Sequence, residues 1–237
     1  MQTLFSIMKL PQTSKSRLLH CALAIIGCVF AGCFFTGCSE DTSYPSVTTS
    51  FVDAITDSKG MVASIRTDNG NVYEPDLRTQ TNSADSVIRC LCTYETMQQD
   101  MPGNSTTAVH PAIHVYSLKH VFSEKPLKRS AFSIYPQDPV KVTSVWKGGG
   151  YINMYLGILT TNVAAHSFAF CEDSIITSRT GKTSVYLSLL HLRPEQDPES
   201  YTEKAYISMP IHKYLDMDTI VFHINSYEGR KEFVYSK

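Results

Sequence analysis

Beyond residue 47 the chain is written in short apolar runs, most of them alternating with period two, each halted by Gly, Pro, Asn or Asp. That pattern excludes most helical architectures before any motif is considered. Thr48 to Ile55 and Met61 to Thr67 alternate as strands on either side of a turn-rich Thr56-Asp-Ser-Lys-Gly60. Asn69-Gly70 is a hairpin signal, because both residues tolerate positive φ. Val72-Tyr73 continues that hairpin and Pro75 stops it; Asp76 to Asp85 is too polar to be other than loop. Ser86 to Thr96 is the clearest strand, with Ile88, Cys90, Cys92 and Tyr94 on one face and Arg89, Thr93 and Glu95 on the other. Gln98 to Thr107, carrying Pro102-Gly103, reads as loop, and Ala112 to Phe122 as a fifth strand bent near Lys119. About five strands in so short a stretch suit a small closed barrel, because closure removes the pairing-prone edges.

Lys125 to Tyr135 reads as a connector with a short strand in Ala131 to Tyr135, and Pro136-Gln-Asp-Pro139 as the hinge to a second domain. That domain opens with Val140, Val142, Ser144 and Trp146 on one strand face. Lys147-Gly-Gly-Gly150 then turns the chain, and Tyr151 to Leu159 runs back. The sole Trp beside three glycines suggests an aromatic ring packed over a glycine turn. Strands follow at Ala165 to Glu172, Ser184 to Leu192, Lys204 to Met209, Thr219 to Tyr227 and Lys231 to Tyr235, with one short helix expected near Ile211 to Leu215. Seven short strands separated by turns predict an antiparallel β-sandwich.

The N-terminus carries a different signal. Lys9, Lys15 and Arg17 precede an apolar run from Leu18 to Phe35, which ends in Thr36-Gly37-Cys38 and turns at once into Ser39-Glu40-Asp41-Thr42-Ser43. A basic start, an apolar centre and small residues before a cut are the parts of an export signal. A run of this length is also the lower edge of a membrane span, so a retained anchor is the alternative. The segment resembles a bacterial lipobox, whose cysteine takes lipid on sulfur and becomes the new N-terminus. Of three possible cysteines, Cys28 follows a bulky Ile26, and Cys33 is still inside the apolar run. Cys38 is followed by polar residues, as a tether should be, although Phe35 stands where a lipobox favours Leu. Stable anchoring needs two or three acyl chains, since one binds only marginally. Glu40-Asp41 resembles the acidic tag that sends some Gram-negative lipoproteins to the outer leaflet of the outer membrane.

Composition narrows the partners. The chain has 21 Lys and Arg against 22 Asp and Glu, and the charged residues of the leader, Lys9, Lys15 and Arg17, are all basic. An acidic mature chain, Cys38 to Lys237, argues against nucleic acid, which needs a clustered basic face. Past the anchor only Cys90, Cys92 and Cys171 remain. A bond between i and i+2 on one strand face is strained, and three thiols make no disulfide framework, so buried free thiols are expected.

No catalytic, cofactor or metal site emerges. Thr180-Gly181-Lys182-Thr183 echoes the end of a phosphate loop, but Ile176 stands where its first Gly belongs and no helix follows, so it reads as a hairpin turn. His110, His114 and His120 share one parity along a strand, yet His114 and His120 are separated by about 20 Å at 3.3 Å per residue, too far for one zinc. Cys90-x-Cys92 lacks a second pair. Glu172-Asp173, or Asp216 with Asp218, would serve glycoside chemistry only if two carboxyl groups faced each other across a cleft; turn acids are the plainer reading. Asp85-Ser86-Val87, Asp173-Ser174-Ile175 and Asp218-Thr219-Ile220 resemble a short bacterial O-glycosylation motif. For ligands, the mouth of the barrel is the candidate, with Tyr73, Tyr94 and Tyr116 available, although strand tyrosines commonly serve packing.

The lipobox, the barrel, Asp138-Pro-Val-Lys-Val-Thr-Ser-Val-Trp-Lys-Gly-Gly-Gly-Tyr-Ile-Asn-Met-Tyr-Leu-Gly157 and the closing Val221-Phe-His-Ile-Asn-Ser-Tyr-Glu-Gly-Arg-Lys-Glu-Phe-Val-Tyr235 together resemble the NigD-like lipoproteins. The resemblance implies an all-β chain: a small OB-like barrel followed by a seven-stranded antiparallel β-sandwich. Residues 1–37 would be the signal peptide, 38–47 a lipidated tether, 48–136 the barrel and 138–237 the sandwich. It carries over no catalytic residue. The expectation is an outer-membrane or cell-surface lipoprotein, held to the membrane by lipid on Cys38, that binds a protein partner or a glycan without catalysis. The alternatives are a purely structural envelope component or a bacteriocin-associated, immunity-type protein. A large aromatic cleft between the domains would favour binding, and two facing carboxylates would favour an enzyme.

Overall fold

The computed structural model describes residues 46–97, 110–195 and 201–237, which belong to one compact unit. Cys38 with its apolar run, and the loop expected at Gln98 to Thr107, lie outside the described residues.

Five strands close the barrel: β1 (Val47–Thr56), β2 (Val62–Thr67), β3 (Val72–Pro75), β4 (Val87–Thr96) and β5 (Ala112–His120). Their order around it is β1-β2-β3-β5-β4, antiparallel except where the short β3 meets β5 in parallel. Alternation does the work expected of it. Val52 and Ala54 of β1, Ile65 of β2, Cys90, Cys92 and Tyr94 of β4 and Ile113 of β5 point inward and form one cluster. Burying a large apolar side chain is worth roughly 1.5–3 kcal/mol, so a core this small needs support from outside.

The barrel passes directly into the second part. β5 ends at His120; the Val121 amide donates to the Arg89 carbonyl at 3.1 Å and the Ser208 amide to the Phe122 carbonyl at 2.9 Å. Eight further strands follow: β6 (Leu127–Lys128), β7 (Lys141–Gly148), β8 (Tyr151–Thr160), β9 (Ser167–Thr177), β10 (Thr183–Leu192), β11 (Tyr201–Pro210), β12 (Thr219–Ser226) and β13 (Gly229–Ser236). They make a five-stranded sheet, β13-β12-β10-β9-β6, packed on a three-stranded sheet, β11-β8-β7. Ile152, Met154, Leu156, Phe170, Leu187, Ile207 and Phe222 fill the space between the sheets. Single 3-10 turns stand at Arg129–Ala131, Val163–Ala165 and His212–Tyr214, the last close to the expected short helix.

The sandwich departs from a purely antiparallel arrangement of seven strands. β12 lies parallel to β10, because the intervening β11 crosses to the other sheet and the chain returns in its original direction. The two-residue β6 adds an eighth strand, parallel to β9. The short strand expected at Ala131 to Tyr135 is replaced by β6 and the 3-10 turn that follows it. Pro136–Pro139, read as a hinge, is bonded to the sandwich. The Pro136 carbonyl accepts from the His191 amide, the Asp138 amide donates to the His191 carbonyl at 3.0 Å, and the Asp138 carboxylate accepts from the Arg193 amide at 2.8 Å.

Two strand faces differ from the alternation read in the sequence, and bulges are the cause. In β7 the register shifts between Val142 and Ser144, leaving Thr143 unpaired. Val145 therefore joins Val142 against the core, while Ser144 and Trp146 turn outward. In β5 the shift falls at Tyr116 rather than near Lys119. Ile113 and Val115 before it, and Leu118 after it, face the barrel core, so His114 and His120 point to opposite faces despite their equal parity.

A candidate ligand cleft at the barrel–sandwich junction

The outer face of the three-stranded sheet carries rows of paired residues across β7, β8 and β11: Ser144–Tyr155–Tyr206, then Trp146–Asn153–Ser208, then Gly148–Tyr151–Pro210. The outer face of the barrel presents Phe51 opposite Leu91, and a row Arg66–Asp53–Arg89 of alternating charge across β2, β1 and β4. These two faces meet.

Arg89 is their hub, 4% exposed. Its Nη1 donates to Asp53 Oδ1 at 3.1 Å, its Nη2 to Asp68 Oδ1 at 2.6 Å and to Asn153 Oδ1 at 3.0 Å, and its Nε to Ser208 Oγ at 3.1 Å. Ser208 Oγ donates to Asn153 Oδ1 at 2.6 Å, Asn153 Nδ2 donates to Asp68 Oδ2 at 2.8 Å, and Arg66 Nη2 donates to Asp53 Oδ2 at 2.9 Å. Two guanidinium groups and two carboxylates thus cancel in charge, and the planar fork of arginine fits this many acceptors at once. The guanidinium also lies 4.0 Å over the Tyr151 ring. Burial, and the nearby Asp53 carboxylate, push the Tyr151 hydroxyl up to about 12.

The glycine turn is shaped for this junction. Gly149 and Gly150 have φ of 60° and 85°, the pair of positive values that a two-residue type I′ hairpin needs. A side chain on Gly149 would collide with the Asp68 carboxylate, and one on Gly150 with the His212 ring. The turn is thus covered by Asp68 and His212, not by Trp146, whose ring instead meets Phe51 edge-on at 5.6 Å.

Beside the Arg89 network lies an open cleft of about 500 Å³. Its aromatic wall runs from Trp146 through Phe51 to Tyr206, 6.2 Å from Phe51, and on to Tyr155, which stacks on Tyr206 at 5.0 Å with planes 9° apart. Tyr73 and Tyr94 close the barrel side, their rings 5.8 Å apart. Thr48, Thr49, Asn69, Asn71 and Ser144 supply hydroxyl and amide groups. Two of the three tyrosines named from the sequence therefore reach the cleft. Tyr116 does not: it is exposed elsewhere, where its hydroxyl donates to Glu95 at 2.8 Å. A second recess on the junction, lined by Lys119, His120, Phe122, Phe168 and Lys204, is larger and carries cations.

The remaining sequence candidates are dispersed. Glu172 Oε2 accepts from Lys213 Nζ at 2.5 Å and Tyr214 Oη at 2.7 Å; burial raises its carboxyl, and these donors outweigh that and hold it below the usual range. Asp173 accepts from Tyr135 and Ser188, each at 2.6 Å. The adjacent acids are thus each taken up by their own donors. Asp216 lies in the turn before β12, and Asp218 Oδ2 accepts from the Thr183 amide at 2.7 Å. His114 bonds Asp76, whose carboxyl that bond lowers; His120 is far along the strand and His110 precedes it. Among the described residues no group of three ligating side chains converges on a metal position. Thr180 to Lys182 lie in the β9–β10 hairpin turn, with Gly181 at φ 82°, and Thr183 opens β10. Ser86 leads into β4, Ser174 is exposed within β9 and Thr219 opens β12. Cys90, Cys92 and Cys171 are free and buried, their thiols pushed up by burial to about 11, 12 and 12.

Sequence reasoning missed Arg89, Asp53, Asp68, Asn153 and Ser208. Arg89 and Asp53 each sit between inward-facing apolar residues, so alternation marks them as outward; it does not reveal that a second domain covers them.

Fold and junction together define an all-β protein in which a small closed barrel is locked side-on to a mixed β-sandwich. Residues 123–236 match the family described as the NigD-like C-terminal beta sandwich domain. The chain is similar to a NigD-like immunity protein from Bacteroides caccae, with 26% identity and a TM-score of 0.61, over 81% of this chain and 98% of that one. It shares its fold with a candidate toxin-related protein of Parabacteroides distasonis (16% identity, TM-score 0.59, 81% of this chain and 93% of that one). It does so too with a candidate lipoprotein of Bacteroides fragilis (14% identity, TM-score 0.54, 81% and 97%). No curated protein matches the chain. No helix among the described residues is long and apolar enough to cross a membrane.

Proposed function

We propose that this chain is a non-catalytic binding protein of the Gram-negative cell envelope, tethered to the outer membrane by lipid on Cys38, with its ligand site in the aromatic cleft at the junction. The cleft carries the reading. Aromatic walls with a few placed polar groups are the usual make-up of a binding pocket, and its volume falls in the common range of roughly 300–1,000 Å³. The Arg89 network beside it fixes the two walls relative to each other, which lowers the entropic cost of binding. The candidate lipoprotein of like fold supports the tether, together with the Thr36-Gly37-Cys38 segment.

Two measurements test the proposal. Cells fed labelled palmitate are expected to label the native chain and not Cys38→Ser, and the variant is expected to leave the outer-membrane fraction; equal labelling of both removes the tether. Trp146→Ala is expected to abolish capture of the ligand from envelope extracts without changing thermal stability by more than a few degrees. Unchanged capture removes the cleft. A second reading, in which the partner is a toxin-like protein, is favoured by the similarity to an immunity protein; it predicts Trp146-dependent capture of a single protein species.

A further inference from the structure

We propose that the cleft takes a neutral oligosaccharide, bound by stacking on Trp146 and on the Tyr155–Tyr206 pair; this rests on the binding reading above. Three observations point to the class. The first is the presentation of rings. Trp146 is 39% exposed although it is large and apolar, and the flat Tyr155–Tyr206 stack borders the same space. The axial C–H groups of a pyranose carry slight positive charge and lie on one face of the ring. They match the negative face of an aromatic quadrupole, while the rim of the sugar remains free for hydrogen bonds.

The second is charge. Lys and Arg are absent from the described residues lining the cleft. Asp68 is the only acid there, and its carboxylate is taken up by Arg89 and Asn153. Single-stranded nucleic acids and sulfated or uronic glycans need a cationic track, which this wall does not offer. Of the cations nearby, Lys204 Nζ stands 5.9 Å from the Tyr155 ring centre, and the Arg89 guanidinium, 5.5 Å from the Phe51 ring centre, is neutralised by Asp53 and Asp68.

The third is the polar set. Asn69, Asn71, Thr48, Thr49 and Ser144 offer amides and hydroxyls, groups that both donate and accept, as a run of sugar hydroxyls requires. The cleft is open rather than enclosed, so a chain of sugars can run through it.

The sole tryptophan makes the test direct, because Trp emission reports the state of this wall. The full acylated protein in detergent is titrated with cellohexaose, xylohexaose, mannohexaose and maltohexaose, and with hexagalacturonate and a heparin hexasaccharide as anionic counterparts. At least one neutral hexasaccharide is expected to shift Trp146 emission saturably. By calorimetry, Trp146→Ala is expected to weaken that sugar at least tenfold, and Asn71→Ala about threefold, with the thermal midpoint of each within a few degrees of the native chain. In a parallel arm a photo-crosslinking amino acid replaces Ser144 in living cells. No shift with any neutral hexasaccharide, or tighter binding of an anionic one, overturns the neutral-sugar class. If a protein then crosslinks at position 144, the cleft remains a binding site for a different partner. If nothing crosslinks either, the binding reading falls with it.

Discussion

Arg89 decides more than any other single side chain. Four neighbours satisfy it, and each of them loses a charged partner if it is removed. Truncating one member of a buried ionic network costs about 3–5 kcal/mol, because the remaining charges stay buried without compensation. Arg89→Ala is accordingly expected to lower the unfolding free energy measured by urea titration by that amount, and Arg89→Lys to recover only part of it, since an ammonium cannot fork between Asp53, Asp68 and Ser208. Arg66 reaches the same Asp53 from a more exposed position, so Arg66→Ala is expected to cost well under half as much. A second buried pair sets a pH limit. His191 Nδ1 lies 3.0 Å from the Asp138 carbonyl, which can only accept, so this nitrogen carries the hydrogen. Nε2 of the neutral ring is then the acceptor for His166 Nδ1–H at 2.7 Å. Burial first, and the charges of His166 and Arg193, hold the His191 pKa below its ordinary value, while Asp138 opposes them. The unfolded chain therefore takes up this proton at a higher pH than the folded one. Stability is expected to be full above about pH 6.5 and to fall below it, by up to about 1.4 kcal/mol per pH unit for one proton. Urea midpoints of the native chain and His191→Phe between pH 7.5 and 5 measure this, and a slope that the substitution leaves unchanged refutes it.

At the scale of elements, turns and bulges fix what side-chain alternation leaves open. The Gly149–Gly150 turn is held both by its positive φ values and by the lack of room above it. Gly149→Ala is expected to destabilise by about 1–3 kcal/mol or more, adding strain at a positive φ to displacement of Asp68. Gly70→Ala, also at positive φ but with open space around it, isolates the first of these costs and is expected to be milder. Comparing their denaturant midpoints separates conformational strain from junction packing. The same elements show what could be read from the sequence. The barrel strands and the hairpin at Asn69-Gly70 were legible, because two-fold periodicity and turn residues are local signals. The orientation of Trp146 was not. An unpaired Thr143 inverts the face of every later residue in β7, and no local signal marks that residue as the bulge. Tyr73 and Tyr94 were legible as available aromatics. Tyr155 and Tyr206 were not, because the cleft arises only where two strands from different parts of the chain pair. The parallel pairing of β10 with β12 was hidden for the same reason: it depends on which sheet β11 joins.

For the molecule as a whole, barrel and sandwich are joined without slack. The chain leaves β5 and pairs with β11 two residues later, at Phe122, and the junction buries Arg89, Asn153 and Ser208 between the two parts. Domains joined by flexible tethers and polar surfaces move independently as a default; here a satisfied polar network sits across the boundary, flanked by Phe51 against Trp146 and Tyr206. The barrel core is small, so the barrel depends on this face more than the sandwich does. Calorimetry of residues 46–237 is therefore expected to give one cooperative transition with equal calorimetric and van't Hoff enthalpies. A chain of residues 122–237 is expected to fold and melt cooperatively at a lower temperature, whereas residues 46–121 alone, with Phe51 and Leu91 laid bare and Arg89 without its sandwich partners, are expected to be unfolded or aggregated. Arg89→Met in the whole chain should divide the single transition into two, the barrel melting first. One undivided transition in that variant would mean that the hydrophobic contacts alone carry the coupling, and that the buried ionic network sets orientation rather than cooperativity.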